Sequence, residues 1–371
     1  MNQSISHIIG HDYYLLTILS VIIAFGFAFF CIPAIIKIAE LKNLFDETDL
    51  MTQVRTTPTL GGIAIFFGLI ISFSFFKDYL NLSDVKYLVP TLIFIFFTGV
   101  KDDILILTPL KKLISQFICA FTVVIFGGLR INSFYGILGI QELPVLFSIV
   151  FTIFLIIGII NCYNLIDGSD GLAASLGLLS SVSFGLWFLL TENWTLSFLS
   201  FSLTGSLIGF LYYNWQPAKI FMGDTGAMLI GFVISILAIQ FTELNKLQEV
   251  YHLQTATTGK YWIYASASVA VSVIAIPLFD MIRVFVIRLL EKRSPFKSDR
   301  NHIHHILKDL GFSHRKIAVT LFLWNLFIII VCVYLKNMKS SLMLVMVFLM
   351  TFIPTVYLDR QRQQKMSLLK N

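Results

Sequence analysis

Eleven stretches of almost pure hydrocarbon, joined by short polar connections, decide what this chain can fold into. They fall at about 15–38, 59–76, 87–100, 112–127, 145–161, 172–190, 196–212, 226–241, 265–288, 317–335 and 341–358. A membrane-crossing helix needs roughly 20 apolar residues, because no water is available to satisfy its backbone within the bilayer. Most of the runs reach that length; the third and fourth are short. Charged residues make up only 13% of the 371, where a soluble domain carries roughly 25%. The expected fold is therefore all-α and integral to the lipid bilayer, with about eleven transmembrane helices in a single polytopic domain, 1–371. No soluble domain fits between the runs, and no internal repeat is visible. The first fourteen residues contain no Lys or Arg, so a secretory leader is not expected. Cys31, Cys119, Cys162 and Cys332 lie in or beside apolar runs without CxxC spacing and read as small core residues.

Basic residues orient such a chain. With the loop 39–58 on the cytoplasmic side and strict alternation thereafter, twenty of the 27 Lys and Arg become cytoplasmic and seven external. This bias predicts an external N-terminus and a cytoplasmic C-terminus. The clusters rich in Asp, Asn or His then all fall on cytoplasmic connections, within loops 39–58, 101–112, 161–171, 214–226 and 289–316. The external side offers little beyond a small hairpin near 130–143, where residues alternate around Gly136 and Gly139. One shared side suits a single site open to the cytoplasm. A cation transporter, the rival reading, would place its polar groups at mid-membrane.

The densest cluster is Asn161-Cys-Tyr-Asn-Leu-Ile-Asp-Gly-Ser-Asp-Gly171, between two apolar runs. Asn161 and Asn164 share a helical face, and the two Asp-Gly pairs turn the chain. A plain turn with Asp170 capping the next helix would need fewer polar groups. Asp102 and Asp103 end the third run; on a helix they diverge by about 100°, so one can face a site while the other holds a lysine. Lys111 and Lys112 open the fourth run, as interfacial anchors or, for Lys112, as a phosphate partner. In Phe221-Met-Gly-Asp-Thr-Gly226, Asp224 is either a helix cap or a ligand group, and Phe221 offers a flat face for a base. Asp280 sits within the ninth run, three residues before Arg283, as an ion pair or as a site member. Arg300-Asn-His-Ile-His-His305 gathers three of seven histidines. Zinc lacks a Cys or acid partner at fitting spacing there. Five aspartates at one mouth require a cation or protonation, since two carboxylates 4 Å apart repel by roughly 4 kcal/mol at an effective dielectric constant near 20. All-oxygen ligands favour Mg²⁺, with Mn²⁺ as the alternative. Neither a P-loop nor a GxGxxG pattern is present, and nothing suggests nucleic acid as a partner.

In this order, TPTLGG (57–62), the Asp102-Asp103 pair, NCYNLIDGSDG, FMGDTG and RNHIHH resemble the motifs of the polyprenyl-phosphate N-acetylhexosamine-1-phosphate transferases. The resemblance covers residues 40 to 316. The His-x-His-His loop is most similar to the bacterial undecaprenyl-phosphate GlcNAc-1-phosphate transferase branch. It implies transfer of a HexNAc-1-phosphate from a UDP-sugar to undecaprenyl phosphate in the bacterial inner membrane, with Mg²⁺ and release of UMP. It also implies roles. Asn164 and Asp224 would hold the metal, Phe221 would stack on uracil, and Asp170 would hydrogen-bond it. Asp102, with Asp103 beside it, would position or deprotonate the acceptor, and Asp167 would belong to the catalytic group. Lys112, Arg300, His302, His304 and His305 would meet phosphate and sugar. Leu60 departs from the basic residue of many relatives, which argues against a substrate role for TPTLGG. The donor is expected to be UDP-GlcNAc, with GalNAc, QuiNAc and FucNAc as alternatives. Direct attack by the lipid phosphate is favoured over a phospho-aspartate intermediate, and association as a homodimer stays open.

Overall fold

The computed structural model describes residues 13–42, 44, 57–76, 86–105, 107–250, 261–292 and 300–368, with backbone alone for 246–250. Most of loop 39–58 and part of loop 289–316, both expected to border the site, lie outside the described residues.

Thirteen α-helices are described. They are α1 (Tyr13–Leu41), α2 (Gly61–Phe75), α3 (Leu88–Leu105), α4 (Pro109–Phe121, continued by a π turn over Thr122–Phe126) and α5 (Val145–Ile166). There follow α6 (Leu172–Leu190), α7 (Trp194–Asn214), α8 (Gly223–Val250), α9 (Ser266–Val273) and α10 (Ala275–Leu290). The short α11 (Ile303–Asp309) precedes α12 (His314–Tyr334) and α13 (Ser340–Leu368). Each of the eleven apolar runs is helical. Eight helices among the described residues are long and apolar enough to cross a membrane, and the pair α9–α10 makes up to nine. Of the other two, α2 has only 15 residues, a length of about 22 Å. Helix α3 carries Lys101, Asp102 and Asp103 near its C-terminal end.

The ninth run was expected as one continuous span, and here the structure corrects the reading. It breaks at Ile274, where α9 and α10 meet at 81°. Pro277 explains the break: it has no N–H to give the carbonyl of residue 273, four positions back. Asn325 of α12 repairs the gap. Its Nδ2 donates to Val273 O at 2.9 Å, and its Oδ1 accepts from Ile276 N at 2.9 Å. Backbone groups freed inside a membrane bundle require such a partner.

Helix α8 runs through the middle of the bundle and is buried along most of its length. Small residues let its neighbours approach: a Cβ on Gly231 of α8 would lie 2.6 Å from Ile160 Cα of α5. The far end of α8 carries Glu243, which accepts from Asn132 N at 2.8 Å and Asn132 Nδ2 at 2.7 Å, and also from Tyr135 OH. This fixes the expected hairpin, a Ser133–Glu142 antiparallel bridge with Phe134 N donating to Gln141 O at 2.9 Å. The hairpin joins the C-terminal end of α4 to the N-terminal end of α5. The opposite helix ends carry the motifs.

Candidate active site

At that opposite end, four loops meet over the N-terminus of α8. Asp103 builds the floor. Its Oδ1 accepts from Asp224 N at 2.7 Å, and its Oδ2 accepts from Thr225 N at 3.2 Å and Thr225 Oγ1 at 2.5 Å. A carboxylate is well placed there, since the first turn of a helix has free N–H groups and a positive dipole end. Gly223 (φ +71°) admits this approach, because a Cβ on it would lie 2.2 Å from Thr59 O and 2.6 Å from Asp103 Oδ2.

The two adjacent acids divide their work as helical geometry requires. Asp102 points to the cluster: Leu107 N donates to its Oδ1 at 2.6 Å, and Lys112 Nζ lies 3.2 Å from its Oδ2. Lys112 also pairs with Asp224 Oδ1 and lies 3.4 Å from Asn164 Oδ1. Asn164 Nδ2 in turn contacts Asp224 Oδ1. Residues from α3, α4, α5 and α8, up to 122 positions apart, thus form one constellation. The Lys112 ammonium lies half-buried among three side-chain oxygens, one each from Asp102, Asp224 and Asn164.

The turn after α5 forms the next wall. Asp167 caps α5, half-buried. Asp170 is buried and accepts from Ala218 N at 3.1 Å, so it fixes the loop leading to Phe221. Gly171 N donates to Asn214 Oδ1 at 2.9 Å, and Asn214 Nδ2 donates to Ile220 O at 2.9 Å. Half-buried Phe221 is held through its backbone: its N–H donates to Pro58 O at 2.7 Å and its carbonyl accepts from Gly61 N at 2.9 Å. Gly62 N donates to Met222 O at 2.8 Å. TPTLGG is therefore a brace for FMGDTG, a role that its side chains do not announce.

The histidines form the third wall. His302 Nδ1 pairs with Asp280 Oδ2 at 2.8 Å. Asp280 Oδ1 accepts from Ile303 N at 2.9 Å and Arg283 Nη2 at 3.0 Å, while Arg283 also reaches Asn301 O. Asp280 is thus an ion-paired dock for the loop. His304 is buried against the Asp167–Gly168 turn, where a Cβ on Gly168 would lie 2.3 Å from its Nε2. His305 packs on it with ring centroids 4.2 Å apart. Neither His304 Nδ1 nor His305 Nδ1 has a hydrogen-bond partner, although both atoms are buried. Arg300 is 66% exposed and pairs with Asp309 at 2.9 Å.

Burial, and next the neighbouring His305, hold His304 far below the ordinary imidazole range, at about 3. It is neutral near pH 7. Between 6.5 and about 3 the unfolded chain binds the extra proton and the folded one does not. Stability from this site is therefore full above 6.5 and declines as pH falls. Acidification across that window should lower the thermal midpoint of wild type more than that of His304→Gln, measured by static light scattering in detergent.

One site residue escaped sequence reasoning. His314 Nδ1 lies 3.1 Å from Ser169 Oγ, 3.3 Å from Asp170 N and 3.6 Å from Asp170 Oδ1. It stands outside RNHIHH, at the start of α12. Its only signal was a place near the end of the same polar loop.

Among the described residues no three His, Cys, Asp or Glu gather as a metal cluster. The oxygens of Asp102, Asn164 and Asp224 nevertheless already share one cation, the Lys112 ammonium. That all-oxygen set suits a hard ion that completes its shell with water or phosphate, and it does not suit zinc.

Residues 85–242 match the model of glycosyl transferase family 4. The chain is 30% identical over 290 residues to the decaprenyl-phosphate N-acetylglucosaminephosphotransferase of Mycobacterium leprae, covering 73% of this chain and 71% of that protein. It is 29% identical over 329 residues to the probable undecaprenyl-phosphate N-acetylglucosaminyl 1-phosphate transferase of Bacillus subtilis, covering 86% and 84%. The undecaprenyl-phosphate alpha-N-acetylglucosaminyl 1-phosphate transferase of Escherichia coli K12 is 28% identical over 291 residues, covering 76% and 74%.

Proposed function

The chain belongs to glycosyl transferase family 4, among the polyprenyl-phosphate N-acetylhexosamine-1-phosphate transferases, and from that premise we propose that it transfers GlcNAc-1-phosphate from UDP-GlcNAc to undecaprenyl phosphate. The observation that carries this reading is the convergence of Asp102, Lys112, Asn164 and Asp224 at the N-terminal end of α8. Anionic reactants fit there, where one ammonium and one helix terminus already oppose negative charge. The site would face the cytoplasm of the bacterial inner membrane, as the distribution of basic residues favours.

In the reaction, an oxygen of the lipid phosphate forms a bond to the sugar-bearing phosphorus of the donor. The bond from that phosphorus to the bridging oxygen breaks, and UMP leaves with that oxygen. One phosphoanhydride replaces another, so catalysis is mainly positioning and charge neutralisation. Asp102, fixed by Leu107 N, would orient the acceptor phosphate and take any proton it still carries. Asp103 would keep Asp224 in place. Lys112 would shift from the carboxylates toward phosphate, and Phe221 would stack on the base while Asp170 holds its loop. Neutral His304 and His305 would turn their open Nδ1 atoms to diphosphate or sugar. Asn164 and Asp224 would hold Mg²⁺, which supplies further neutralisation of the donor diphosphate when bound.

A transporter is less well supported. The acid–base pair within the ninth run, Asp280–Arg283, is consumed in docking residues 301–303. The purified chain with Mg²⁺, UDP-GlcNAc and undecaprenyl phosphate should release UMP. A panel of UDP-GalNAc, UDP-QuiNAc and UDP-FucNAc identifies the preferred donor. Failure with every donor would remove the reading.

A further inference from the structure

The last helix reaches the histidine loop through one carboxylate. Asp309, which ends α11, uses both oxygens: Oδ1 takes Arg300 Nη2 at 2.9 Å, and Oδ2 takes Arg362 Nε at 2.8 Å. Its backbone carbonyl accepts from Lys365 Nζ at 3.0 Å. Asp359, three residues before Arg362 on α13, lies 3.8 Å from that guanidinium. Just beyond Asp309 the chain turns at Gly311, where φ is +100° and a Cβ would stand 3.7 Å from Lys365 Nζ. The side chains of Asp309 and Arg362 are 14% and 18% exposed, against 66% for Arg300. A lone surface ion pair contributes little. Here a sheltered residue receives three basic groups from two segments, the loop before α11 and helix α13, so the exposed arginine is tied to a fixed point.

We propose that Asp309 is a positioning residue for the sugar-nucleotide side of the site, holding Arg300 beside the histidines, with Arg362 and Lys365 of α13 fixing Asp309 in turn. The inference rests on the transfer reaction proposed above. Asp309 touches no reacting atom; it sets where the Arg300 guanidinium waits for the donor. His305 shares the arrangement, since Arg300, Lys308 and Asp309 are among the charges acting on its imidazole. Helix α13 carries none of the family motifs, yet it becomes part of donor binding. Neutralising Asp309 would also leave Arg300 and Arg362 side by side without the acid between them, so the loss acts on both arginines.

The test uses the full chain in nanodiscs, with UMP release measured while each substrate is varied and hydrogen exchange followed over residues 300–309. Asp309→Asn and Arg362→Gln should each raise the KM for the UDP-sugar about fivefold, the upper end for a partly exposed pair. The KM for the lipid should stay constant and kcat should change less than about twofold. Both variants should exchange faster over 300–309, Arg362→Lys should recover most of the donor KM, and Arg360→Gln, exposed on the same helix, should move neither readout. An unchanged donor KM in folded Asp309→Asn and Arg362→Gln overturns the proposal, as does a fall in kcat at constant donor KM. Should wild type release UMP from no UDP-HexNAc, the reaction itself is wrong and exchange decides alone. Faster exchange in both variants keeps Asp309 as the fixed point of the loop; unaltered exchange removes it.

Discussion

Replacing Asp224 by alanine should lower kcat/KM for UMP release by at least about a thousandfold, the scale at which loss of a charge-organising group acts on phosphoryl transfer. Asp224 is where Lys112 and Asn164 converge, and among the described residues no other carboxylate touches both. The variant should stay folded. Asp103 caps α8 through the backbone N–H groups of residues 224 and 225 and through Thr225 Oγ1, all of which alanine leaves in place. Lys112 keeps Asp102 as a partner. A thermal midpoint close to wild type together with lost activity is therefore the expected pair of results. Activity within tenfold of wild type would remove Asp224 from the centre of the site.

Gly62→Ala should act by the opposite route, through the scaffold. A Cβ on Gly62 would lie 2.2 Å from Gly226 N and 2.7 Å from Gly226 Cα, backbone atoms that cannot swing aside. Gly99 closes the other flank, where a Cβ would lie 2.4 Å from Thr225 Cα. The first turn of α8 is thus gripped between two glycines, and pushing it away displaces Asp224 and breaks the Gly62–Met222 hydrogen bond. Overpacking of this kind costs at least about 2 kcal/mol. Thermal inactivation in detergent should move well below wild type, with activity falling at temperatures where wild type is intact. Gly26→Ala on α1, where nothing lies within 4 Å of the added carbon, is the matched control and should be neutral. If Gly62→Ala matched it, the brace made by TPTLGG would be dispensable.

These two residues mark what a sequence can and cannot disclose here. Asp224 was legible because acids and amides at the ends of apolar runs have little structural reason to be there. The spans were legible for the complementary reason, that hydrocarbon length is read directly from composition. The role of Pro58–Gly62 was not, because it acts through main-chain hydrogen bonds and through the absence of side chains. Neither leaves a chemical signature beyond the glycines themselves. His314 was missed because its partners, Ser169 and Asp170, are some 145 positions away. The 81° bend was hidden inside an apolar run whose hydropathy is the same straight or broken. Pro277 was the one visible hint.

That bend also reaches the chemistry. Asn325 is buried on α12, where it bonds on both sides of the interruption and so fixes the angle at which α10 leaves it. Asp280 rides on α10, and His302 with Ile303 hangs from Asp280. The aim of the imidazoles is therefore set like a mitred corner in joinery, by one amide peg driven from the neighbouring beam.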